Sequence, residues 1–502
     1  MEEGTSGVPN RQNTWETPPA MNTNQGFANQ APVVSPESVN PQPVNPVVYR
    51  SGNSNQGANG KGLRKLPIKK ILIAIVGIFV LLTIIILVFS MFSSGGEKPT
   101  TDEVILTYWG AYEDEGTIRP VLAEFEQENP NIKIVYEKQD LADYRERLAA
   151  RTDNGKGPDV FRYHNTWYSS ISNYLLPIPS DVIKSDDFAS RYYKVAGTDL
   201  IKNGTVYGIP IYTDTLSLYI NTEIFNSTDS AQITIPKTWQ EFIDTSTALT
   251  TRDERGGIQM AGAGIGTYDN VKYAPDIISL MMAQNGVDLG NPSEYEEEIA
   301  EAIQFYTNFA RVENNVWDST KDNSLTEFAG GRLAMFFGYS WDYFTIKSQN
   351  PNIKMTVVPV PQLETDQPTN IASYWTEGVS SGTPHPNEAF LFLSFLARTE
   401  TQEKLFAEAQ KTRDFGEPYS IVSLSEKLKD TVAFTFADQS NTAISSPFVE
   451  VGGENNLNSD LNKFLREAVN GVFTEGSADE TSIQTLLEGY SSTVGNINVL
   501  PN

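Results

Sequence analysis

The chain has 502 residues, of which 39% are hydrophobic, enough for two or three domains with a large buried core. Its 63 acidic against 37 basic residues give a formal net charge of −26, which argues against nucleic acid as a partner because phosphate binding needs clusters of lysine and arginine. The absence of cysteine excludes a disulfide framework, a cysteine-ligated zinc and a thiol nucleophile, and it fits an exported domain.

The N-terminal region divides into a polar tail and an apolar run. Residues 1–60 are rich in Asn, Pro, Gln, Ser and Gly and cannot bury enough surface to offset chain entropy, so they are predicted to form a disordered tail. Five basic residues then precede an uncharged run over 71–92. Its 22 residues would make a helix of about 33 Å, against a hydrocarbon core of about 30 Å. Residues 61–96 are therefore predicted to hold a basic flank and one transmembrane helix.

The basic flank also predicts the orientation of this helix. Lysine and arginine stay preferentially on the cytoplasmic side, so the tail would be cytoplasmic and residues 97–502 extracellular. The alternative is a cleaved signal peptide, with residues 93–95 as the point of cleavage. A signal peptide, however, has an apolar stretch of about 7 to 15 residues and a short charged region before it. The sequence thus favours a single-pass protein of the cell membrane with a cytoplasmic N-terminus.

From Thr101 onward the sequence alternates strand and helix patterns, which is typical of an α/β domain with parallel connections. Apolar β-branched runs predict strands, and amphipathic stretches that end at Pro or Gly predict helices. In chain order these segments are the strand VILTYWG, the helix TIRPVLAEFEQENP, the strand NIKIVYEKQD, the helix DYRERLAARTDNG and the strand GPDVFRYHN. Polar and aromatic residues follow the first and third strands.

The middle of the chain continues the alternation. The strand LSLYIN follows the polar and aromatic segment IPIYTDT, and a helix then begins at Thr238 with Glu241 as its capping-box partner. The remaining predicted elements are the helices APDIISLMMAQNG and EYEEEIAEAIQFYTNFARVEN, the strand IKMTVVPVPQL and a mostly helical region from Pro386 onward. The GAGIG run at 262–266 predicts a plain turn, because no acidic residue or strand-helix context supports a dinucleotide loop.

Several of these segments resemble one protein family. They are VLAEFEQENPNIKIVYE with GPDVFRYH, the crossover over 206–242, the F-x-x-G-x-x-A-M pattern in EFAGGRLAMFFGYSW, and IASYWTEG. All are similar to the family 1 extracellular solute-binding proteins, the substrate receptors of ABC importers. The resemblance implies a two-lobed α/β fold of the periplasmic-binding-protein type II class after the tail and the transmembrane helix. Lobe 1 would comprise about 101–211 and 376–430, and lobe 2 about 218–372 and 431–502.

Candidate ligand-binding residues cluster at the ends of predicted strands, where ligands bind in open α/β sheets. Flat rings can stack on the C–H faces of sugars while planar polar groups bind hydroxyls. The candidates are Trp109, Tyr112, Glu113, Tyr163, Asn165, Trp167, Tyr212, Asp214, Tyr268, Asn270, Trp341, Trp375 and Glu377. The resemblance implies that Trp341, after the A-M turn, and Asp214, in the first crossover, lie against the sugar. Packing in the core is the competing interpretation, and it is favoured for Tyr108.

The resemblance implies a receptor without catalytic activity. It would capture a carbohydrate, with an oligosaccharide as the favoured ligand, and deliver it to an ABC transporter permease. No cofactor is expected, and no metal site either, since His164 and His385 are far apart and no cysteine accompanies them. A ligand sensor that signals through the membrane is the runner-up. A polysaccharide-acting enzyme with an acid pair such as Glu113 and Asp214 is the third hypothesis. A monomer is expected, and a peptide, polyamine or phosphodiester ligand stays open.

Overall fold

A computed structural model describes residues 103–227, 233–311, 315–452, 457–478 and 480–497. The predicted tail and the apolar run over 71–92 lie outside these residues. Within the described ranges, none of the helices combines the length and the apolar character needed to cross a membrane. The described residues all belong to one folding unit, in which two sheets form the centres of two lobes.

Lobe 1 is built on a five-stranded sheet. Its strands are β1 (Val104–Gly110), β2 (Ile132–Lys138), β3 (Val160–His164), β6 (Ile209–Pro210) and β13 (Trp375–Val379). They lie in the order β2-β1-β3-β13-β6, with β1 parallel to both of its neighbours and β13 antiparallel to both of its own. The sheet is therefore mixed. The three opening strands predicted from sequence are present, and β13 joins them from the distant segment IASYWTEG.

Lobe 2 is built on a second five-stranded sheet. Its strands are β7 (Ser217–Asn221), β8 (Thr251–Arg252), β9 (Ile258–Ala263), β10 (Leu333–Gly338) and β11 (Met355–Val358). They lie in the order β11-β7-β10-β9-β8, where β10 is parallel to β9 and antiparallel to β7. The expectation of an A-M turn is wrong, because Ala334 and Met335 lie in β10. A run of six apolar or small residues, all buried, suits a central strand, and the turn comes earlier at Gly331, whose φ is +72°.

Helices pack against these sheets. In lobe 1 they are α1 (Glu115–Glu128), α2 (Tyr144–Asp153), α3 (Tyr168–Ile171), α4 (Ser185–Arg191), α5 (Lys194–Leu200), α12 (Pro386–Leu396) and α13 (Thr399–Ala409). In lobe 2 they are α6 (Thr222–Ser227), α7 (Trp239–Leu249), α8 (Ala274–Gln284), α9 (Glu296–Arg311), α10 (Ser324–Ala329), α11 (Ser340–Gln349), α14 (Ala433–Gln439), α15 (Leu457–Glu475) and α16 (Glu480–Ile497). The short strands are β4 (Ile201–Lys202), β5 (Thr205–Val206), β12 (Asn370–Ala372) and β14 (Ala443–Ser445).

The local signals that predicted the helices are visible in the structure. α1 buries one apolar face at three- and four-residue spacing, formed by Ile118, Val121, Leu122 and Phe125. α2 ends just before Gly155, whose φ of +63° favours a residue without a side chain. The predicted capping box of α7 is present, because the Thr238 oxygen accepts from the Glu241 N–H and the Glu241 carboxylate accepts from the Thr238 N–H.

Two of the chain segments that connect the lobes lie side by side, because Thr215 in the first forms a β-bridge with Ala372 in the second. The Thr213 N–H of the first segment also donates to the Pro418 carbonyl at 2.9 Å. The family resemblance predicted both crossovers, and the predicted lobe bounds imply a third near residue 430. Thin connections of this kind permit hinge motion between lobes.

Candidate functional site

A cavity of about 710 Å³ lies between the lobes, and we call it the cleft. Lobe 1 contributes Tyr112, Leu141, Tyr212 and Trp375 to its wall, and the loop after α13 contributes Arg413 and Glu417. Lobe 2 contributes Tyr268, Asp269, Val271, Lys272, Tyr273, Pro275, Asn323 and Trp341, and Glu450, Val451 and Gly452 complete the wall. Its volume lies within the range of small-molecule sites, roughly 300 to 1,000 Å³. Five of the thirteen predicted residues line it: Tyr112, Tyr212, Tyr268, Trp341 and Trp375.

The lobe 1 wall is aromatic. Tyr112 is 46% exposed and meets the Trp375 ring edge-on, with 5.5 Å between ring centroids. Trp375 is itself supported from behind by Trp167 at 5.2 Å and His164 at 5.3 Å. Burial lowers the pKa of His164 to about 3, so its ring is neutral and packs as an aromatic. Trp375 itself is only 2% exposed, so Tyr112 provides most of the accessible aromatic surface that lobe 1 contributes to the cleft.

The lobe 2 wall is aromatic as well. Trp341, in the first turn of α11, stacks on Tyr339 with 4.6 Å between centroids and 18° between ring planes. Its indole N–H donates to the Tyr273 hydroxyl at 2.8 Å. The Tyr268 hydroxyl donates to the Asn462 carbonyl at 3.0 Å, which fixes a third ring on the same wall. The cleft therefore has ordered aromatic rings on both sides.

Asp214 does not line the cleft, which corrects the expectation that it contacts a ligand. Its buried carboxylate accepts from the backbone N–H of Ser340 at 3.1 Å, from the Ser340 hydroxyl and from the N–H of Thr215 at 2.8 Å. Burial raises the pKa of Asp214 well above its ordinary value. The carboxyl thus holds the N-terminus of α11, where orphan N–H groups need acceptors. Asp214 positions Trp341.

Glu113 and Glu377 are also committed to a structural role. Both form ion pairs with the fully buried Arg162, whose Nε donates to Glu377 Oε1 at 2.7 Å. The Arg162 guanidinium also donates to the Tyr108 hydroxyl at 3.2 Å. Burial raises the pKa of Glu377, and the positive charge of Arg162 opposes that shift. A buried guanidinium requires such partners, so neither acid is a wall residue of the cleft.

The other five predicted residues lie away from the cleft wall. Trp109 donates to Glu137 at 2.8 Å, and Trp167 donates to Asn458 at 3.0 Å. Asn165 donates to Asp199 at 3.0 Å and borders a separate groove. Tyr163 is buried within β3, and Asn270 donates to the carbonyls of Asp318 and Lys321 at 3.0 Å. Trp109 and Tyr163 thus lie within strands rather than after them, and hydrogen bonds hold the side chains of Trp167, Asn165 and Asn270 away from the cleft.

Several wall residues were missed by sequence reasoning. Lys272 and Tyr273 stand between the predicted Tyr268 and the start of α8, so their position was a usable signal. Arg413 and Glu417 lie in the loop after α13, and no local sequence pattern marks them as wall residues. Leu141 and Glu450 are ordinary loop residues in sequence.

The charges of the cleft wall are largely paired. Lys272 pairs with the buried Asp342, Arg413 with Glu417 at 2.7 Å, and Asp269 with Arg466 at 2.6 Å. The Glu450 carboxylate accepts from the Gly452 N–H at 2.9 Å. Among the described residues, no group of three or more His, Asp or Glu side chains could hold a metal ion. Aromatic faces with balanced charges suit an uncharged polar ligand.

Comparison with proteins of known family agrees with this architecture. The family described as bacterial extracellular solute-binding protein matches residues 121–433. A multiple sugar-binding protein of Streptococcus mutans is 20% identical over 331 residues, which cover 62% of this chain and 76% of that protein. A probable amino-acid ABC transporter periplasmic-binding protein of Sinorhizobium fredii is 22% identical over 287 residues, which cover 55% of this chain and 63% of that protein.

Solved structures share the fold. The sugar-binding protein MalE from Xanthomonas citri matches with a TM-score of 0.63 at 19% identity, over 79% of this chain and 98% of that one. A cyclo/maltodextrin-binding protein complexed with maltotetraose matches with a TM-score of 0.60 at 16% identity, over 82% and 100% of the two chains. These matches establish the two-lobed α/β fold of periplasmic-binding proteins. Because the family match also spans more than half of its length, the chain belongs to the bacterial extracellular solute-binding proteins.

Proposed function

We propose that this protein is a membrane-anchored extracellular receptor that captures a neutral carbohydrate, an oligosaccharide, and delivers it to an ABC transporter permease. The observation that carries the proposal is the pair of aromatic walls facing one cleft. Tyr112 and Trp375 come from lobe 1, and Trp341 and Tyr273 come from lobe 2. Rings on both sides suit the C–H faces of pyranoses, and the sugar-binding relatives support this ligand class.

The receptor binds by closing its lobes. A sugar that touches Trp375 and Trp341 at once gains its full set of contacts only when the lobes meet, so it shifts the equilibrium toward the closed state. The connecting segments at Thr213 and Ala372 serve as the hinge. No cofactor takes part, and one copy of the chain supplies the whole cleft.

The proposed receptor performs no reaction on its ligand. Hydrolysis of a glycosidic bond needs two carboxyl groups that flank the bond. Glu113 is paired with Arg162, and Asp214 is bonded to the N-terminus of α11. Because of these contacts, neither carboxyl group is free to act as one of the two catalytic acids that a glycosidase needs.

A thermal-shift panel tests the ligand class. The purified chain is melted with maltose-, xylose- and mannose-type oligosaccharides and with amino acids. A ligand at 100 times its Kd stabilises the folded state by about 2.7 kcal/mol, so one sugar series is expected to raise the melting temperature. Shifts with amino acids alone would overturn the carbohydrate assignment.

The proposed anchor is the uncharged run over 71–92 behind its basic flank. It would tether residues 97–502 outside the cell and leave the tail over 1–60 in the cytoplasm. Protease added to intact cells should digest the extracellular domain and spare an epitope placed in the tail. A soluble mature protein that begins near Gly95 would contradict the anchor.

A further inference from the structure

We infer that Arg413 and Glu417 form a clamp for two adjacent hydroxyl groups, and that this clamp sets the specificity of the cleft for an uncharged sugar. The Arg413 guanidinium donates hydrogen bonds to the two hydroxyl oxygens, and the Glu417 carboxylate accepts a hydrogen bond from one of the hydroxyl groups. The inference rests on the proposed function and names the ligand group that the cleft selects.

The pair holds a distinctive place on the cleft wall. Arg413 Nη2 donates to Glu417 Oε1 at 2.7 Å, and the two side chains are 27% and 23% exposed. Among the ion pairs of the described residues, it alone has both members on the wall. Lys272 and Asp269 also line the cleft, but their partners, Asp342 and Arg466, do not.

The hydrogen-bonding capacity of the pair is mostly unused. A guanidinium has five N–H donors, and within the described residues Arg413 donates one of them. Arg162 is the contrast within lobe 1, because it is fully buried and its donors meet Glu113, Glu377 and Tyr108. Glu417 likewise accepts one hydrogen bond from the described residues and retains its second oxygen. A ligand in the cleft can therefore use both side chains.

The loop over 411–418 fixes the pair beside the aromatic wall. The Arg413 guanidinium lies over the Phe344 ring, 4.8 Å from its centroid. Phe415 is buried and contacts the rings of Tyr343 at 5.2 Å and Phe344 at 4.6 Å. Tyr343 and Phe344 belong to α11, the helix that also presents Trp341. The clamp is thus pre-organised, which lowers the entropic cost of binding.

The geometry of the two groups selects the ligand. The planar fork of a guanidinium reaches two acceptors at once, a spacing that neighbouring hydroxyl oxygens share with carboxylate oxygens. A carboxylate ligand would meet the negative charge of Glu417 at the same place, which disfavours an anion. Neighbouring hydroxyls accept from Arg413 and donate to Glu417, so an uncharged diol satisfies both members.

Calorimetric titration of the purified chain tests the clamp, with the sugar that gives the largest thermal shift as the probe. Arg413→Gln and Glu417→Gln should each weaken binding by about tenfold, because charge-assisted hydrogen bonds are lost. Arg413→Lys should weaken it by about fivefold, since an ammonium lacks the fork. The control is the double variant Arg398→Gln/Glu128→Gln, which removes an exposed ion pair away from the cleft wall and should leave affinity within about twofold.

The outcomes separate the clamp from the receptor. If sugars bind the wild type and the Glu417→Gln variant equally well, the clamp is wrong and the receptor stands. If no sugar binds the wild type, the proposed function itself fails. Glu417→Gln keeps the Arg413–Phe344 contact. Its affinity therefore tests the clamp even if Arg413→Gln lowers the melting temperature.

Discussion

Trp341 is the residue whose removal should most clearly separate binding from folding. It lines the cleft, stacks on Tyr339 and donates to Tyr273. Trp341→Ala should weaken sugar binding by about 1 to 3 kcal/mol through lost stacking, as measured by calorimetric titration. Trp341→Phe retains a ring and should recover part of the loss. A variant that loses several kcal/mol of stability and no affinity would show Trp341 to be a core residue.

Asp276 is a buried carboxyl that directly follows Pro275, a residue of the cleft wall. It accepts from the Tyr339 hydroxyl at 2.6 Å and from the Glu450 N–H at 2.9 Å. Burial raises the pKa of Asp276 to about 8, whereas an aspartate in an unfolded chain titrates near about 3.9. Between these values the folded state holds a proton that the unfolded state has released. The associated stability is therefore fully present below about pH 4 and is lost as pH rises toward 8.

Asp276→Asn should remove the loss of stability between about pH 4 and pH 8, because the amide side chain stays neutral at every pH. The difference in melting temperature between the variant and the wild type should shift in favour of the variant from pH 5 to pH 8. Differential scanning calorimetry at both pH values measures it. His164, with its pKa of about 3, titrates equally in both proteins and cancels from the difference. Parallel pH profiles would show that Asp276 does not carry the proton.

Three acids that were predicted to bind the ligand show which features of single residues the sequence does not reveal. Asp214, Glu113 and Glu377 stand beside aromatics in loops and strands, as ligand-binding acids often do. Their actual partners are distant in the chain, since Arg162 and Glu377 are 215 positions apart and Asp214 meets Ser340. No local sequence pattern predicts that an acidic residue will pair with a buried arginine or with the N-terminus of a helix.

At the scale of elements, the capping box of α7 offers a direct test. The Thr238 oxygen accepts from the Glu241 N–H at 3.2 Å. Thr238→Ala should lower the free energy of unfolding by about 1 kcal/mol, because that N–H loses its acceptor. Thr238→Ser keeps the hydroxyl and is the matched control. Urea denaturation measures both, and an Ala variant as stable as the Ser variant would contradict the role of the cap.

Most helices and strands followed from local patterns, because amphipathic spacing and terminal Gly, Pro or Thr act over a few residues. The A-M segment did not, since a short apolar run beside two glycines fits a turn as well as a buried strand. Its place between β7 and β9 is decided by pairing with distant strands. The mixture of parallel and antiparallel pairing in both sheets is likewise decided by contacts between distant strands.

At the scale of the whole molecule, two lobes and two crossovers followed from the family resemblance. The position of the 411–418 loop did not, because it depends on the contacts of Phe415 with the distant residues Tyr343 and Phe344. The loop brings Arg413 and Glu417 to the cleft from one side, while α11 brings Trp341 from the other. The wall of the cleft is thus formed by tertiary contacts between distant segments, and no single segment of the sequence predicts it.

The central claim, a receptor that binds sugar and leaves it unchanged, is tested most directly by measuring binding and ligand integrity in the same sample. The purified chain is titrated calorimetrically with the malto-, xylo- and manno-oligosaccharide panel, and the recovered sugar is resolved by chromatography. We predict saturable binding at one site for one sugar series, weakened in Trp341→Ala, with the sugar recovered intact. Cleavage products, or the absence of binding across the whole panel, would contradict the account.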